Sequence, residues 1–234
     1  MSRVKNLFIS IYYVIFSPKK ILNKIIRNPE WIGISILNVL LLSMLLFLNT
    51  TLIMRTLKSN ISKELVDSAY EILKYKQLFN YISQIVFFYI EIFLLSLLSW
   101  ILIKTLYFKM SFKTLLSLIV HCKIVLILEN LLVSIILFFR IGQYISGLDD
   151  YRIHIGLGFL FKKNAYSELI YFLLNSINII SIWWIIIIAI GLSMLENISK
   201  RKSVIIATII FFLLIFIKVF LSYISMYINV NYFK

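Results

Sequence analysis

Residues 203–223 read SVIIATIIFFLLIFIKVFLSY, an almost unbroken apolar run with a single charge, Lys218. An α-helix of about 20 apolar residues is long enough to cross the hydrocarbon core of a bilayer. The rest of the chain has the same character: 62% of its 234 residues are hydrophobic, more than one water-soluble core of this size can hide. The composition therefore predicts that lipid surrounds most of the protein.

Four further runs meet the same length criterion, and charged or glycine-containing segments separate them. The predicted spans lie at about 31–53, 82–108, 112–139, 169–195 and 203–223. We therefore predict an all-α fold: a polytopic transmembrane helical bundle of about five spans over residues 31–223. A short C-terminal tail, 224–234, follows it.

Residues 1–30 form a basic arm in front of the first span. The apolar run 4–16 resembles a signal peptide, but it continues into Ser17-Pro18-Lys19-Lys20 without a small-residue cleavage site. In residues 20–27 the apolar and basic side chains lie on opposite sides of a helix. We predict an interfacial helix that lies flat on the membrane. Its charge can simply obey the positive-inside rule, or the helix can insert into one leaflet and sense curvature.

Two longer connections separate the spans. The segment between Arg55 and Tyr81 is charged, with apolar residues at helical spacing, which predicts an amphipathic helix outside the membrane. Residues 140–168 contain four glycines, which predicts an irregular loop with a short apolar re-entrant or surface piece, Ile155–Phe161.

Basic residues outnumber acidic ones by 24 to 10, and they flank the apolar runs. The arm carries six, and the short connections at 109–113 and 200–202 are almost purely basic, whereas the long loops include acidic residues. With five spans, this bias places the N-terminus in the cytoplasm. The pattern suits anionic lipid headgroups better than nucleic acid. Frequent Ile, Lys and Asn indicate an AT-rich bacterial genome, and hence the cytoplasmic membrane of a bacterium.

The order of features resembles the Yip family, five-span membrane proteins named for interaction with Ypt/Rab GTPases. The matching stretches are Ser176–Trp183, Ala189-Ile190-Gly191-Leu192, Phe16-Ser17-Pro18 and Pro29-Glu30-Trp31. The family-motif positions are Pro18, Pro29, Trp31, Asn178, Trp183 and Gly191. This chain departs from the family at Asn178, where aspartate is usual, and near Lys109, where glycines are expected. The resemblance implies a helical membrane protein that scaffolds or regulates trafficking or membrane shape, without catalytic residues.

Several polar side chains interrupt the predicted spans, and each is costly in lipid. The candidate intramembrane network comprises Glu91, His121, Lys123, Glu129, Asn175, Asn178 and Lys218. Its charged members can pair across helices and fix helix packing, or they can line a path for ions, protons or substrate, while Lys123 and Lys218 can also snorkel to an interface. Similarly, His121 can serve packing or proton relay, and the two asparagines can serve packing or substrate contact.

Signatures of other chemistries are missing from the sequence. The single cysteine, Cys122, has no partner for an internal disulfide, and the oxygen and nitrogen ligands of residues 149–154 lack the spacing of a calcium or zinc site. Gly156-Leu157-Gly158 is not a dinucleotide fingerprint. We therefore expect no metal, no cofactor and no enzymatic activity, although an intramembrane enzyme of unfamiliar geometry stays open as the weakest alternative.

Two functional hypotheses remain. The first is a non-catalytic organiser or adaptor in trafficking or membrane homeostasis, whose partners are the lipid bilayer and other membrane proteins or further copies of itself. The second is a small transporter, channel subunit or resistance/immunity protein that uses the intramembrane charges. The arrangement of those charges distinguishes the two hypotheses.

Overall fold

A computed structural model describes residues 12–60, 63–139, 155–160, 168–195 and 198–232. Residues 12–16 are helical. The elements that follow are α1 (Pro18–Arg27), α2 (Ile32–Asn60), α3 (Lys63–Thr105), α4 (Phe112–Phe139), a 3₁₀ turn (Leu157–Leu160), α5 (Glu168–Ser176), α6 (Ile179–Leu195) and α7 (Lys200–Tyr232). The described part of the chain contains no strand, which confirms the predicted all-α class.

Within the described residues, four helical stretches are long and apolar enough to cross a membrane: Ile32–Leu52, Ile82–Thr105, Phe112–Phe139 and Lys200–Ile224. Helices α5 and α6 supply a fifth if this bent pair is one broken span. Side chains on the outer face of α2, among them Ile36, Leu40 and Phe47, are exposed, as lipid contact requires. The helices therefore agree with a polytopic bundle of four to five spans.

The fourth predicted span, 169–195, differs from the structure, because the helix is interrupted at Ile177 and Asn178. The carbonyl oxygen of Ile177 accepts a hydrogen bond from the backbone amide of Leu157 at 3.0 Å. This hydrogen bond lies at the interruption itself and gives the Ile177 carbonyl a partner outside the helix. The break therefore coincides with the docking of the 155–160 segment.

Helix α3 also differs from the prediction, which separated an amphipathic helix before Tyr81 from a span over 82–108. The structure has one helix of 43 residues from Lys63 to Thr105. Its end comes earlier than predicted, because the chain turns at Tyr107, whose φ of 64° lies in the left-handed region. A glycine would adopt this conformation without strain, and glycines are what the family resemblance leads one to expect near Lys109.

The turn between α3 and α4 holds these two helices side by side. The indole Nε1–H of Trp100 donates to the carbonyl oxygen of Met110 at 3.0 Å, and the ring of Phe112 lies edge-on to Trp100 at 6.2 Å between centroids. Because the connection is short, α3 and α4 run antiparallel, and residues equally far from the turn lie at similar depth.

Helix α1 is amphipathic, as predicted, but its apolar side is covered by protein and not by the lipid of one leaflet. Ile21, Leu22 and Ile25 are buried at 4%, 1% and 2% exposure, and α1 packs against α6. Apolar side chains already covered by protein are not available to insert into lipid. The structure therefore does not support leaflet insertion by α1, whereas residues 1–11 of the predicted arm lie outside the described range.

Contacts divide the chain into two compact units. The boundary between the units falls within α2, α3 and α4, so that each of these helices belongs partly to one unit and partly to the other. Unit 1 includes the described residues of Met1–Asn38, Phe87–Leu126 and Ile179–Lys234, and unit 2 those of Val39–Val86 and Ile127–Asn178. Each unit contains its own group of the predicted polar side chains.

Candidate functional site: polar side chains within the spans

Glu91 and Lys123 form a buried ion pair in unit 1. The Nζ of Lys123 donates to Oε1 of Glu91, and the two side chains are only 6% and 12% exposed for lysine and glutamate respectively. The ring of Phe88 lies on the same lysine, with Nζ 6.0 Å from its centroid. Two opposite charges in direct contact offset part of each other's desolvation cost, which an isolated charge in lipid would bear in full.

Glu129 and Asn178 form the second contact of the predicted network, in unit 2. The amide Nδ2–H of Asn178 donates to Oε1 of Glu129 at 3.0 Å, and Asn178 is buried at 5% exposure. Asn178 lies at the break after α5, where it reaches α4 without the constraint of helical geometry. The break thus supplies a polar partner to an intramembrane carboxylate.

Asn175 lies one turn before Asn178 but faces a different neighbour. Its side chain and its backbone are covered by the 155–160 segment, because Gly158 approaches the amide group and Gly156 approaches the main chain. Its Oδ1 is buried and has no hydrogen-bond partner within the described residues. The structure therefore does not place Asn175 in the hydrogen bond between Asn178 and Glu129, although the sequence places all three in one network.

His121 is buried near the start of α4 and bonds to its own helix. Its Nδ1 lies 2.8 Å from the carbonyl oxygen of Ser117, which accepts only, so the imidazole proton is on Nδ1. One turn earlier, Ser117 Oγ donates to the carbonyl of Glu30 at 2.9 Å. This bond ties the Pro29-Glu30-Trp31 motif to α4. The geometry agrees with a packing role for His121.

Asn38, a residue that the sequence analysis did not single out, belongs to the same unit. It is fully buried, and its Nδ2–H donates to the carbonyl oxygen of Val120 at 2.8 Å, which links α2 to α4. The signal was visible in the sequence, since Asn38 is a strongly polar side chain within an apolar run. Ser96 and Ser99 on α3 are fully buried too, but serines are common enough in spans to give no such signal.

The remaining predicted positions lie in less polar surroundings. Lys218 is half-buried near the end of the apolar part of α7. Trp183 is partly exposed, whereas the adjacent Trp184 is fully buried, with its ring centroid 6.2 Å from that of Phe211. At Gly191 an added Cβ would lie 2.6 Å from Cδ1 of Leu118, so the absence of a side chain allows α6 to approach α4. Trp184 and Gly191 therefore contribute to helix packing in unit 1.

Metal-ligating side chains do not gather within the described residues, which contain no group of three or more His, Cys, Asp or Glu positioned for an ion. The sequence 149–154, considered above as a weak metal candidate, lies outside the described residues. Cys122 is a free, fully buried thiol.

The class of protein follows from the apolar helices and their internal ion pair: it is a polytopic α-helical membrane protein. The family model described as the Yip1 domain matches residues 12–221, and the chain belongs to this family. Among curated proteins and solved structures, no significant match to the chain exists. The family resemblance of the sequence is thereby confirmed over nearly its full length.

The bond between Asn178 and Glu129 leads to a first prediction. We expect Asn178→Ala to lower the free energy of unfolding by about 1–3 kcal/mol, because a partly buried carboxylate loses an amide donor. Unfolding of the purified protein in mixed micelles by increasing SDS, followed by circular dichroism, measures the change. The matched control is Asn175→Ala, which removes an amide oxygen that has no partner within the described residues, and its effect should be smaller. Equal losses in both variants would contradict the prediction.

Proposed function

We propose that this Yip-family protein is a non-catalytic membrane organiser or adaptor, active in trafficking or membrane homeostasis through contacts with lipid and with other membrane proteins. The observation that carries the proposal is the ion pair between Glu91 and Lys123, whose charges compensate each other inside the bundle. Charges used in this way specify which helices pack together, and they need no transported ion. On the positive-inside rule we place the N-terminus in the cytoplasm and the protein in a bacterial cytoplasmic membrane.

The alternative function, a small transporter or channel subunit, has one observation in its favour. The chain breaks at Ile177 and Asn178 between two apolar helices, with an acidic side chain in contact at the break. Broken helices with polar groups near the bilayer centre are a recurrent feature of transporter binding sites. The alternative therefore depends on unit 2, whereas the ion pair lies in unit 1.

Cross-linking in native membranes tests the proposal. The tagged protein would be purified after cross-linking, and co-purifying proteins would be quantified by mass spectrometry against a tagged, unrelated polytopic protein. An adaptor is expected to recover at least one membrane protein in reproducible stoichiometry. Recovery of this chain alone would contradict that expectation.

Solute flux into proteoliposomes tests the alternative. The informative variant for the ion pair is the double substitution Glu91→Gln with Lys123→Gln, which removes both charges together and leaves neither one unpaired in lipid. Glu129→Gln tests the acidic side chain at the break. Flux that is present in the unsubstituted protein and lost in either variant would support the transporter.

A further inference from the structure

The exposed side of helix α1 is basic and has a fixed position. The apolar side chains Ile21, Leu22 and Ile25 are buried where α1 packs on α6, while Lys20, Lys24 and Arg27 are exposed. Because the apolar side of α1 is packed against the protein, the helix cannot rotate about its own axis, and its basic side stays exposed. Helix α1 therefore presents three positive charges along one face, at helical spacing.

Contacts within unit 1 show that other basic segments lie at the same end of the bundle. Gly191, near the end of α6, touches Leu118, near the start of α4. The hinge between α6 and α7 is therefore beside the turn that joins α3 to α4. The bond from Ser117 to the carbonyl of Glu30 brings the segment after α1 to this end as well.

Among the described residues, the charge at this end is strongly one-sided. We use the name basic end for its exposed lysines and arginines: Lys19, Lys20, Lys24, Arg27, Lys104, Lys109, Lys113, Lys200, Arg201 and Lys202. Within the described residues of unit 1, Glu30 is the one exposed acidic side chain. A surface with such an excess attracts anions, and the attraction is strongest where several positive charges act together.

Aromatic side chains next to these charges indicate what covers the basic end. Tyr12 and Phe16 precede α1, Tyr107 lies in the turn between α3 and α4, and all three are exposed. Aromatic rings and basic residues together at the ends of spans are typical of the level of lipid headgroups. A soluble acidic partner would account for the basic charges, but it would not explain why the apolar rings of Tyr12, Phe16 and Tyr107 are exposed beside them.

We propose that the basic end is a binding surface for the phosphate groups of anionic phospholipids in one leaflet. This inference rests on the proposed function, and it names the lipid partner through which an organiser would act. Lys20, Lys24 and Arg27 on α1 contribute together with Lys200, Arg201 and Lys202 at the start of α7. Because the apolar side of α1 is covered, the surface selects lipids by charge and does not depend on insertion into the leaflet.

Electron paramagnetic resonance of spin-labelled lipids measures the selection directly. The full-length protein would be reconstituted in phosphatidylcholine vesicles, and the association of labelled phosphatidylglycerol would be compared with that of labelled phosphatidylcholine. We expect phosphatidylglycerol to be preferred, and the preference to weaken at high ionic strength. Replacing Lys20, Lys24 and Arg27 together with glutamine should reduce the preference at least roughly tenfold, given the electrostatic contribution of each basic residue.

Two further variants make the test specific. Replacement of Lys200, Arg201 and Lys202 with glutamine removes three charges of the basic end from the start of α7 instead of from α1. This variant should also show a weaker preference for phosphatidylglycerol. Replacement of Lys58, Lys63 and Lys74 with glutamine removes the same number of charges from residues that do not belong to the basic end and should leave the preference unchanged. The inference is overturned if the unsubstituted protein shows no preference, if the preference survives the substitutions at the basic end, or if all three variants lose it equally.

The cross-linking experiment separates this inference from the proposed function. A stoichiometric protein partner without any anionic lipid preference would overturn the lipid surface and leave the adaptor standing. Loss of an acidic protein partner in the α1 variant, with lipid preference intact, would likewise overturn the assignment to lipid. Lipid preference without any protein partner would support the inference and count against an adaptor.

Discussion

Replacing Lys123 with methionine should lower the free energy of unfolding by about 3–5 kcal/mol, the cost expected when one partner of a buried ion pair is removed. Methionine keeps much of the volume of the lysine side chain, so the loss comes mainly from Glu91. Its carboxylate would be left in a low-dielectric interior without the lysine that it contacts. SDS-induced unfolding in mixed micelles, followed by circular dichroism, measures the difference.

Three comparison variants separate the ion pair from other effects of the substitution. Lys218→Met makes the same chemical change at a half-buried position on α7 and should cost much less. The double variant Glu91→Leu with Lys123→Leu removes both charges and should recover most of the lost stability, because an apolar pair of similar volume often replaces a buried ion pair without loss. Exchange of the two residues, Glu91→Lys with Lys123→Glu, should also fold. A small loss in Lys123→Met, similar to that in Lys218→Met, would contradict a stabilising role.

The sequence predicts that charges within the spans form ion pairs, but it does not identify which residues pair with each other. Four ionisable residues in apolar spans indicate pairing, since isolated charges in lipid are costly. Helices α3 and α4 are joined by a short turn, and Glu91 and Lys123 lie at comparable distances from it along their helices. A comparison of depth along the two helices would therefore have favoured this pair over Glu129 with Lys123. The rotation of each helix still had to be known, and hydropathy alone does not supply it.

Helix α1 shows a different limit of sequence patterns. The alternation of Ile21, Leu22 and Ile25 with Lys20, Lys24 and Arg27 correctly indicates an amphipathic helix. An apolar face, however, is stabilised equally well by acyl chains and by another helix, because both remove it from water. Only the position of α6, which is distant in sequence, decides between the two. Patterns within one segment therefore predict its faces and leave their partners open.

The break after α5 could not be predicted from the run in which it occurs. Residues 169–195 contain no charged residue and no proline and match the length of a span, and the polar side chains of Asn175 and Asn178 do not by themselves mark a break. At the interruption, the carbonyl oxygen of Ile177 accepts a hydrogen bond from Leu157, some twenty residues earlier in the chain, and a pattern within the run cannot indicate such a partner. The two glycines beside Leu157 indicate an irregular loop with a short apolar re-entrant or surface piece, but they do not indicate where that piece docks. Gly156 allows close approach to the main chain of Asn175, and Gly158 leaves room for the side chain of Asn175.

Gly156→Ala should therefore destabilise unit 2, by about 1–3 kcal/mol if the loss resembles that of an overpacked core. An added Cβ would overlap the carbonyl oxygen of Asn175, which is a main-chain atom and cannot rotate away as a side chain can. The 155–160 segment must then move off α5, and the bond between the Leu157 amide and the Ile177 carbonyl would lengthen or break. Hydrogen–deuterium exchange should become faster in residues 155–160 and 168–178, and SDS-induced unfolding should occur earlier.

Two other glycines make this prediction specific. Gly158→Ala would meet the side chain of Asn175, which has torsional freedom, so its effect should be smaller than that of Gly156→Ala. Gly33→Ala lies on the exposed side of α2 and should be neutral or stabilising by up to about 1 kcal/mol, since alanine is the better helix former. If hydrogen–deuterium exchange in the Gly156→Ala variant were as slow as in the unsubstituted protein, the close approach of Gly156 to Asn175 would not be needed for stability.

The effect of Gly156→Ala should also reach Asn178, which directly follows Ile177. A shift of the backbone there would weaken the bond from Asn178 to Glu129. Gly156→Ala combined with Asn178→Ala should therefore cost less free energy of unfolding than the sum of the single substitutions.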